Sequence, residues 1–394
     1  MKRTEQPAAT IHFDRALPLA DTPGVGHNRW HPEISPVLTV RPGDVVELDV
    51  RDGLDGQISP GMDAQAMLAL LAGTGGGRGL PMTGPIAVDG AEPGDLVEIT
   101  LLSFEPSATG WTGVFPDFTV LGPSRLDPFL VTWTIEDGVA RTEAVPGVAI
   151  PARPLLGLVG VAPSRESLAR INEAEARSAA RGGGGKRPSA EGAVPDHAPI
   201  ATDGLHPEPS RRIGGNIDLN LLGLGSRLLL PVDVPGALVS VGDAHFAQGD
   251  GESLASAIEV SARVRLRLDL RKAEGLAWKP TRPAVEIDDR TPLQTGRRWI
   301  ATTGLSLDEA GRGDALDLSA ALRGALDELV GYLVDERGFA PEQAAVIVGV
   351  AAELRLSQVV NPPNAMVTAL LPLEIFDACP PEAQPRPGDD DGRR

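Results

Sequence analysis

Twice in its first hundred residues the chain reads Pro-Gly-Asp and then begins to alternate. Val40-Arg41-Pro42-Gly43-Asp44 leads into VVELDV, and Ala91-Glu92-Pro93-Gly94-Asp95 leads into LVEITL. Each is a Pro-Gly turn feeding a strand. In the first, Val46, Leu48 and Val50 share one face while Glu47 and Asp49 share the other, the period of a half-buried strand. Such units call for antiparallel sheet, and nothing repeats at a fixed period that would make a solenoid. The rest of the chain agrees: 46 glycines and 36 prolines against 4% aromatics favour turns and short strands.

Further strands are expected at Ile11 to Phe13, Phe118 to Leu121, Leu130 to Glu136, from Arg153 to Gly157, over Val264 to Leu270 where apolar residues alternate with arginines, within 281–307, and at Met366 to Phe376. Helical spacing appears at Asp63 to Leu71, at Ser164 to Arg181, at Leu318 to Leu333 and from Pro341 to Leu354. Gly-rich runs at 73–79 and 182–185 read as a linker or flap and as a disordered loop. The expected fold class is α+β and β-dominated, with antiparallel or mixed sheets and helices packed on or between them. Read as consecutive segments, 1–160 is a β-rich part, 161–210 a helix and loop insertion, 211–378 a β part with late helices, and 379–394 a Pro-rich, charged, disordered tail.

Charge and cysteine content narrow the function. A formal net charge of −18 argues against nucleic acid or an anionic membrane as partner and suits a neutral small molecule. The single cysteine, Cys379, excludes an internal disulfide and makes a reducing compartment natural. With no signal-peptide core at the N-terminus and no apolar run of about 18 residues, the cytoplasm is the expected location.

The densest chemistry lies between Gly214 and Glu259. Asn216 and Asp218 stand two apart, and after a strand-like run and a Pro235-Gly236 turn come Asp243, His245, Gln248, Asp250 and Glu252. Carboxylates and an imidazole are the ligands of divalent metals that favour oxygen and nitrogen. If LVSVGDAH is a strand, Val239, Val241, Asp243 and His245 share a face, and the glycines around Asp250 let the chain bend Glu252 back toward it. Taken singly, each residue has an ordinary structural reading: Asp-Gly is a turn signal and a lone His is usually a satisfied core residue.

NID, LLLPVDVPGAL and GD-x-H-x-x-QGDGE followed by AIE resemble the acetamidase/formamidase family of amide hydrolases. GHNRWHPEISPVLTVRPGDVVELDVRDGLDGQI, TGPIAVDGAEPGDLVEI and RPLLGLVGVAPS resemble other parts of it, so the similarity runs from about His27 to Ile375. The resemblance implies hydrolysis of a short aliphatic amide, formamide or acetamide, at a metal centre, and it favours His27 over His31 as a residue reaching the site. Two departures stand out. Arg212 and Ile213 precede the GGN turn where relatives often carry a histidine, and Asp63 to Met82 is rich in Ala and Gly.

Amide hydrolysis needs an activated nucleophile, a group to polarise the carbonyl and an acid for the leaving nitrogen. A divalent metal supplies the first two. The expected assignment is Asp218, Asp243 and His245 as ligands of zinc, Glu252 as general base, Asp250 as a supporting acid or ligand of a second ion such as calcium, and Asn216, Gln248 and His27 at the substrate. No G-x-S-x-G elbow occurs, and Cys379 has no histidine near it in sequence. Two other readings stay open: a non-catalytic β protein stabilised by a metal, and a hydrolase of another C–N bond, urea-like or cyclic. Self-association as a homodimer or higher homo-oligomer is expected.

Overall fold

The computed structural model describes residues 6–73, 79–121, 126–181, 186–287, 299–306, 314–359 and 364–376. Cys379, the tail from 380 onward and most of the two Gly-rich runs lie outside them. The chain divides into two compact units, each assembled from separated stretches. Unit 1 is 1–110, 153–246 and 259–293; unit 2 is 111–152, 247–258 and 294–394. These discontinuous units cut across the four consecutive segments expected from sequence, because strands distant along the chain pair with one another.

Unit 1 contains two facing β sheets. The first has six strands in the order Ala9–Ile11, Val45–Val50, Ala262–Arg271, Leu96–Pro106, Arg227–Pro231 and Ala284–Glu286. Both Pro-Gly-Asp turns feed strands of this sheet, and its first pair alone is parallel, with Ala9 opposite Val46. The arginines of Ala262–Arg271 do not make a bare basic stripe. Arg263 binds Asp49, Arg265 binds Glu47 and Arg271 binds Glu98 on the neighbouring strands, and Arg271 also binds Glu286 at the far edge strand.

In the second sheet, Leu155–Val161 pairs antiparallel with Gly214–Asn216 on one side and with Val239–Ala247 on the other. Met82–Val88 follows and carries the short strands Gly26–His27 and Leu38–Val40. One core joins the two inner faces. Val46, Leu48, Val50, Val264, Leu266 and Leu268 meet Leu156, Leu158, Val159, Val239 and Val241, all nearly inaccessible. The helix Arg165–Ala179, capped by Ser164 on the N–H of Ser167, lays Leu168 and Ile171 against that core.

Unit 2 holds the meander Phe129–Glu136, Val139–Arg141 and Ile150–Pro151, and a three-stranded sheet ordered Trp299–Leu305, Met366–Pro372, Glu353–Gln358. The helix Leu318–Arg337 starts where Asp317 accepts from Ser319 N and Ala320 N. The Ala-rich helix Pro341–Ala351 is buried from Ala344 to Ala351, as its composition allows. The strand expected at Phe118 to Leu121 is a turn instead, with Phe118 N and Thr119 N both donating to Phe115 O. Among the described residues, no helix is long and apolar enough to cross a membrane.

Candidate active site

Three strands of unit 1 build the site. Between the pairs Leu156 to Ala244 and Leu158 to Gly242, the ladder skips Gly157 and Asp243. The break has a backbone cause: Asp243 takes φ 55°, a left-handed conformation that Asp tolerates better than most residues. Plain alternation therefore does not describe how Asp243 and His245 come together; a kink at Asp243 intervenes.

The opened carbonyl of Gly157 accepts from both Ile217 N at 2.8 Å and Asp218 N at 3.1 Å. That anchors the turn just after Gly214–Asn216 and carries Asp218, itself at φ 47°, to the same place. Asn216 Nδ2 donates to Asp218 Oδ2 at 2.6 Å and so fixes that carboxylate. Asn216 Oδ1 is buried without a hydrogen bond among the described residues. Non-glycine left-handed residues cost on the order of 1–3 kcal/mol each and collect where geometry is functional.

Asp218, Asp243 and His245 each bring one ligand atom to this point, and the three atoms lie within 4.8 Å of one another. Around a tetrahedral zinc with bonds near 2.1 Å, such atoms stand about 3.4 Å apart, so a modest inward movement would close them on an ion. Glu259 adds a fourth group, its Oε1 standing 3.1 Å from His245 Nε2, while Asp243 Oδ1 is 3.4 Å from the same nitrogen. All three side chains are buried. Burial opposes a charged imidazole, but the Glu259 and Asp243 carboxylates outweigh it and raise the His245 pKa well above its ordinary value. A buried nitrogen faced by two carboxylates demands a positive charge among them. Oxygen and nitrogen donors, close spacing and that demand together suit a divalent cation.

The sequence profile of the Acetamidase/Formamidase family matches residues 12–378. The chain belongs to that family. This amidohydrolase is 32% identical to the acetamidase of Mycolicibacterium smegmatis over 371 residues, 87% of this chain and 89% of the relative. It is also 32% identical to the formamidase of Methylophilus methylotrophus, covering 89% of each. Among solved structures, a gamma lactamase from Delftia acidovorans superposes with a TM-score of 0.86 at 32% identity, covering 94% of each chain.

Gln248, Asp250 and Glu252 lie on the 247–258 stretch assigned to unit 2. Gln248 is fully buried. Asp250 and Glu252 sit on a one-turn 3-10 helix, with Glu252 at φ 46°. Asp250 Oδ2 accepts from Leu354 N at 2.7 Å and Asp250 N donates to Ala352 O at 2.8 Å, so it fastens the end of the Pro341–Ala351 helix. Arg212, where a histidine was expected, binds Asp233 at 2.6 Å. Glu259 was not assigned from sequence. The only signal for it was the AIE that follows the GDGE run.

His27, expected at the substrate, is instead engaged inside unit 1 on both sides of its ring. Its Nδ1 lies 2.7 Å from Arg29 O, which can only accept, so Nδ1 carries the proton; Nε2 then accepts from Ser240 Oγ at 2.8 Å. Burial lowers its pKa to about 4. The unfolded chain takes up a proton near pH 6.5 and the folded chain only near 4. The stability this ring contributes is therefore complete above pH 6.5 and lost as pH falls toward 4, about 3 kcal/mol at most at 1.36 kcal/mol per unit. His27→Phe should flatten that stretch of the stability profile and cost about 2–4 kcal/mol at pH 7 by stranding two buried partners. KM of the folded fraction should not move; a several-fold rise in KM without lost stability would restore the substrate role.

Proposed function

We propose that the protein hydrolyses a short uncharged amide to a carboxylate and ammonia, using a divalent cation held by Asp218, Asp243 and His245. The observation that carries this reading is the convergence of those three side chains on one point, with Asp243 and His245 buried and Asp218 half-buried. When bound, the cation supplies Lewis acidity, which polarises a carbonyl and makes water acidic near neutral pH. Zinc suits a mixed oxygen and nitrogen set. Asn216 holds the Asp218 carboxylate in one orientation, a second-layer contact of the kind that tunes ligands. Glu259 keeps the imidazole of His245 turned toward Asp243. Glu252 takes the proton of the attacking water on a carboxylate oxygen and returns it to the departing nitrogen. Asp250 is the place for a second, harder ion such as calcium, and Gln248 for a hydrogen bond to substrate.

The acetamidase and formamidase relatives support small linear amides. The similarity to a gamma lactamase supports a second reading, a small cyclic amide opened at the same site. A net charge of −18 and one cysteine support a neutral substrate and a cytoplasmic setting, and a homodimer or higher homo-oligomer is proposed as the working form.

Ammonia release from formamide and acetamide, and appearance of a primary amine from a γ-lactam, should be followed before and after chelation and again after zinc is restored. Turnover should fall to background on chelation and return with zinc. Hydrolysis indifferent to exhaustive chelation would sink the cation. Loss of thermal stability on chelation, with no hydrolysis of any of the three at any stage, would favour a binding protein.

A further inference from the structure

Gly53 and Gly157 stand where the backbone does not require glycine. Neither is among the residues with positive φ, so an L side chain could adopt either conformation. What each position lacks is room for a Cβ, and the acid cluster fills that room. A Cβ built on Gly157 would collide with Asp218 Oδ1 and lie 2.9 Å from both Asp243 Oδ2 and His245 Cε1. One built on Gly53 would lie 2.5 Å from Asp243 Oδ1 and 3.4 Å from Glu259 Oε2. The Asp243 carboxylate is thus pressed between two bare Cα atoms, one oxygen against each.

The identity of the colliding atoms separates these glycines from others in the fold. At Gly160 the added atom would meet the Trp30 ring and the backbone nitrogen of Gly215, and at Gly249 three backbone carbonyl oxygens. Gly160 is glycine so that the buried Trp30 ring and a neighbouring main chain can pack against it, and Gly249 so that main chains can approach. At Gly53 and Gly157 every one of the nearest atoms is the end of a side chain belonging to Asp218, Asp243, His245 or Glu259. Both residues also hold the site through their main chains. Gly157 O carries the Asp218 turn, and Gly53 O accepts from Leu80 N at 2.8 Å while Gly53 N points at Glu259 Oε2, 3.4 Å away.

We infer that Gly53 and Gly157 are positioning residues that clamp the Asp243 carboxylate and so set the spacing of the cation-binding atoms. The inference rests on the cation reading given above. A methyl group at either position has to displace a carboxylate or the imidazole, whereas coordination bonds tolerate only about 0.2 Å of error. Because side-chain ends move more cheaply than backbone, the fold should survive the change that spoils the site.

Gly157→Ala and Gly53→Ala are the test, with Gly160→Ala as control. Zinc and cobalt(II) are titrated into metal-free wild type and variants, and the metal-free melting temperatures are measured in parallel. Expected for Gly157→Ala and Gly53→Ala is an affinity about 10–100-fold weaker, as for disturbed supporting contacts at metal sites, with metal-free melting no lower than wild type. Gly160→Ala should lose melting temperature while its folded fraction binds as wild type. Undiminished affinity in Gly157→Ala, a loss matched by lower metal-free melting, or an equal loss in Gly160→Ala would each overturn the inference. Wild type that takes up neither ion would sink the cation reading instead. Turnover then decides the positioning role: lost at unchanged melting, it stands; retained, it falls.

Discussion

His245→Ala should release no ammonia above background and should unfold at a lower urea concentration than wild type. The imidazole Nε2 lies 3.1 Å from Glu259 Oε1 and 3.4 Å from Asp243 Oδ1, in a place where all three side chains are shielded from water. Without it, two buried carboxylates confront each other uncompensated. Breaking a buried pair from one side typically costs about 3–5 kcal/mol. Saturating zinc should return part of the lost stability, since an ion binding only the folded chain shifts the equilibrium by mass action, yet it should not return turnover. Activity within tenfold of wild type would remove His245 from the reaction, and an unchanged urea midpoint would mean that the carboxylates are balanced by something else.

Glu252→Gln should behave differently. The amide keeps the shape of the side chain but cannot accept a proton, so turnover should fall by about 10²–10⁴, the range general bases contribute. Asp218, Asp243 and His245 are untouched, so zinc content and metal-free stability should match wild type. Turnover would be read at saturating substrate and zinc by elemental analysis. If the variant loses its zinc along with its activity, Glu252 belongs among the ligands. If it keeps its activity, some other group carries the proton.

How much of this was legible in the chain depends on how local each signal is. The Pro-Gly-Asp turns and the alternation after them located Val45–Val50 and Leu96–Pro106, and helical spacing located Leu318–Arg337. Those patterns are complete within a few residues. The parallel pairing of Ala9–Ile11 with Val45–Val50 is not local, and neither are the discontinuous units. Within the site, clustering in sequence brought Asp243 and His245 to attention, but the route by which Asp218 joins them runs through the carbonyl of Gly157, about 60 residues earlier. Glu259 escaped assignment because the chain leaves unit 1 after Phe246 and re-enters it at Glu259. His27 was brought forward by the family resemblance alone, and no local pattern showed that both of its ring nitrogens would find partners in the interior.

The left-handed backbone at Asp218 and Asp243 has an evolutionary consequence. Of the replacements open to either position, asparagine alone matches both the outline and the tolerance for that conformation, so each acid can be silenced by one substitution that disturbs no turn. A descendant with asparagine at both positions would inherit the same backbone with two fewer negative charges around His245.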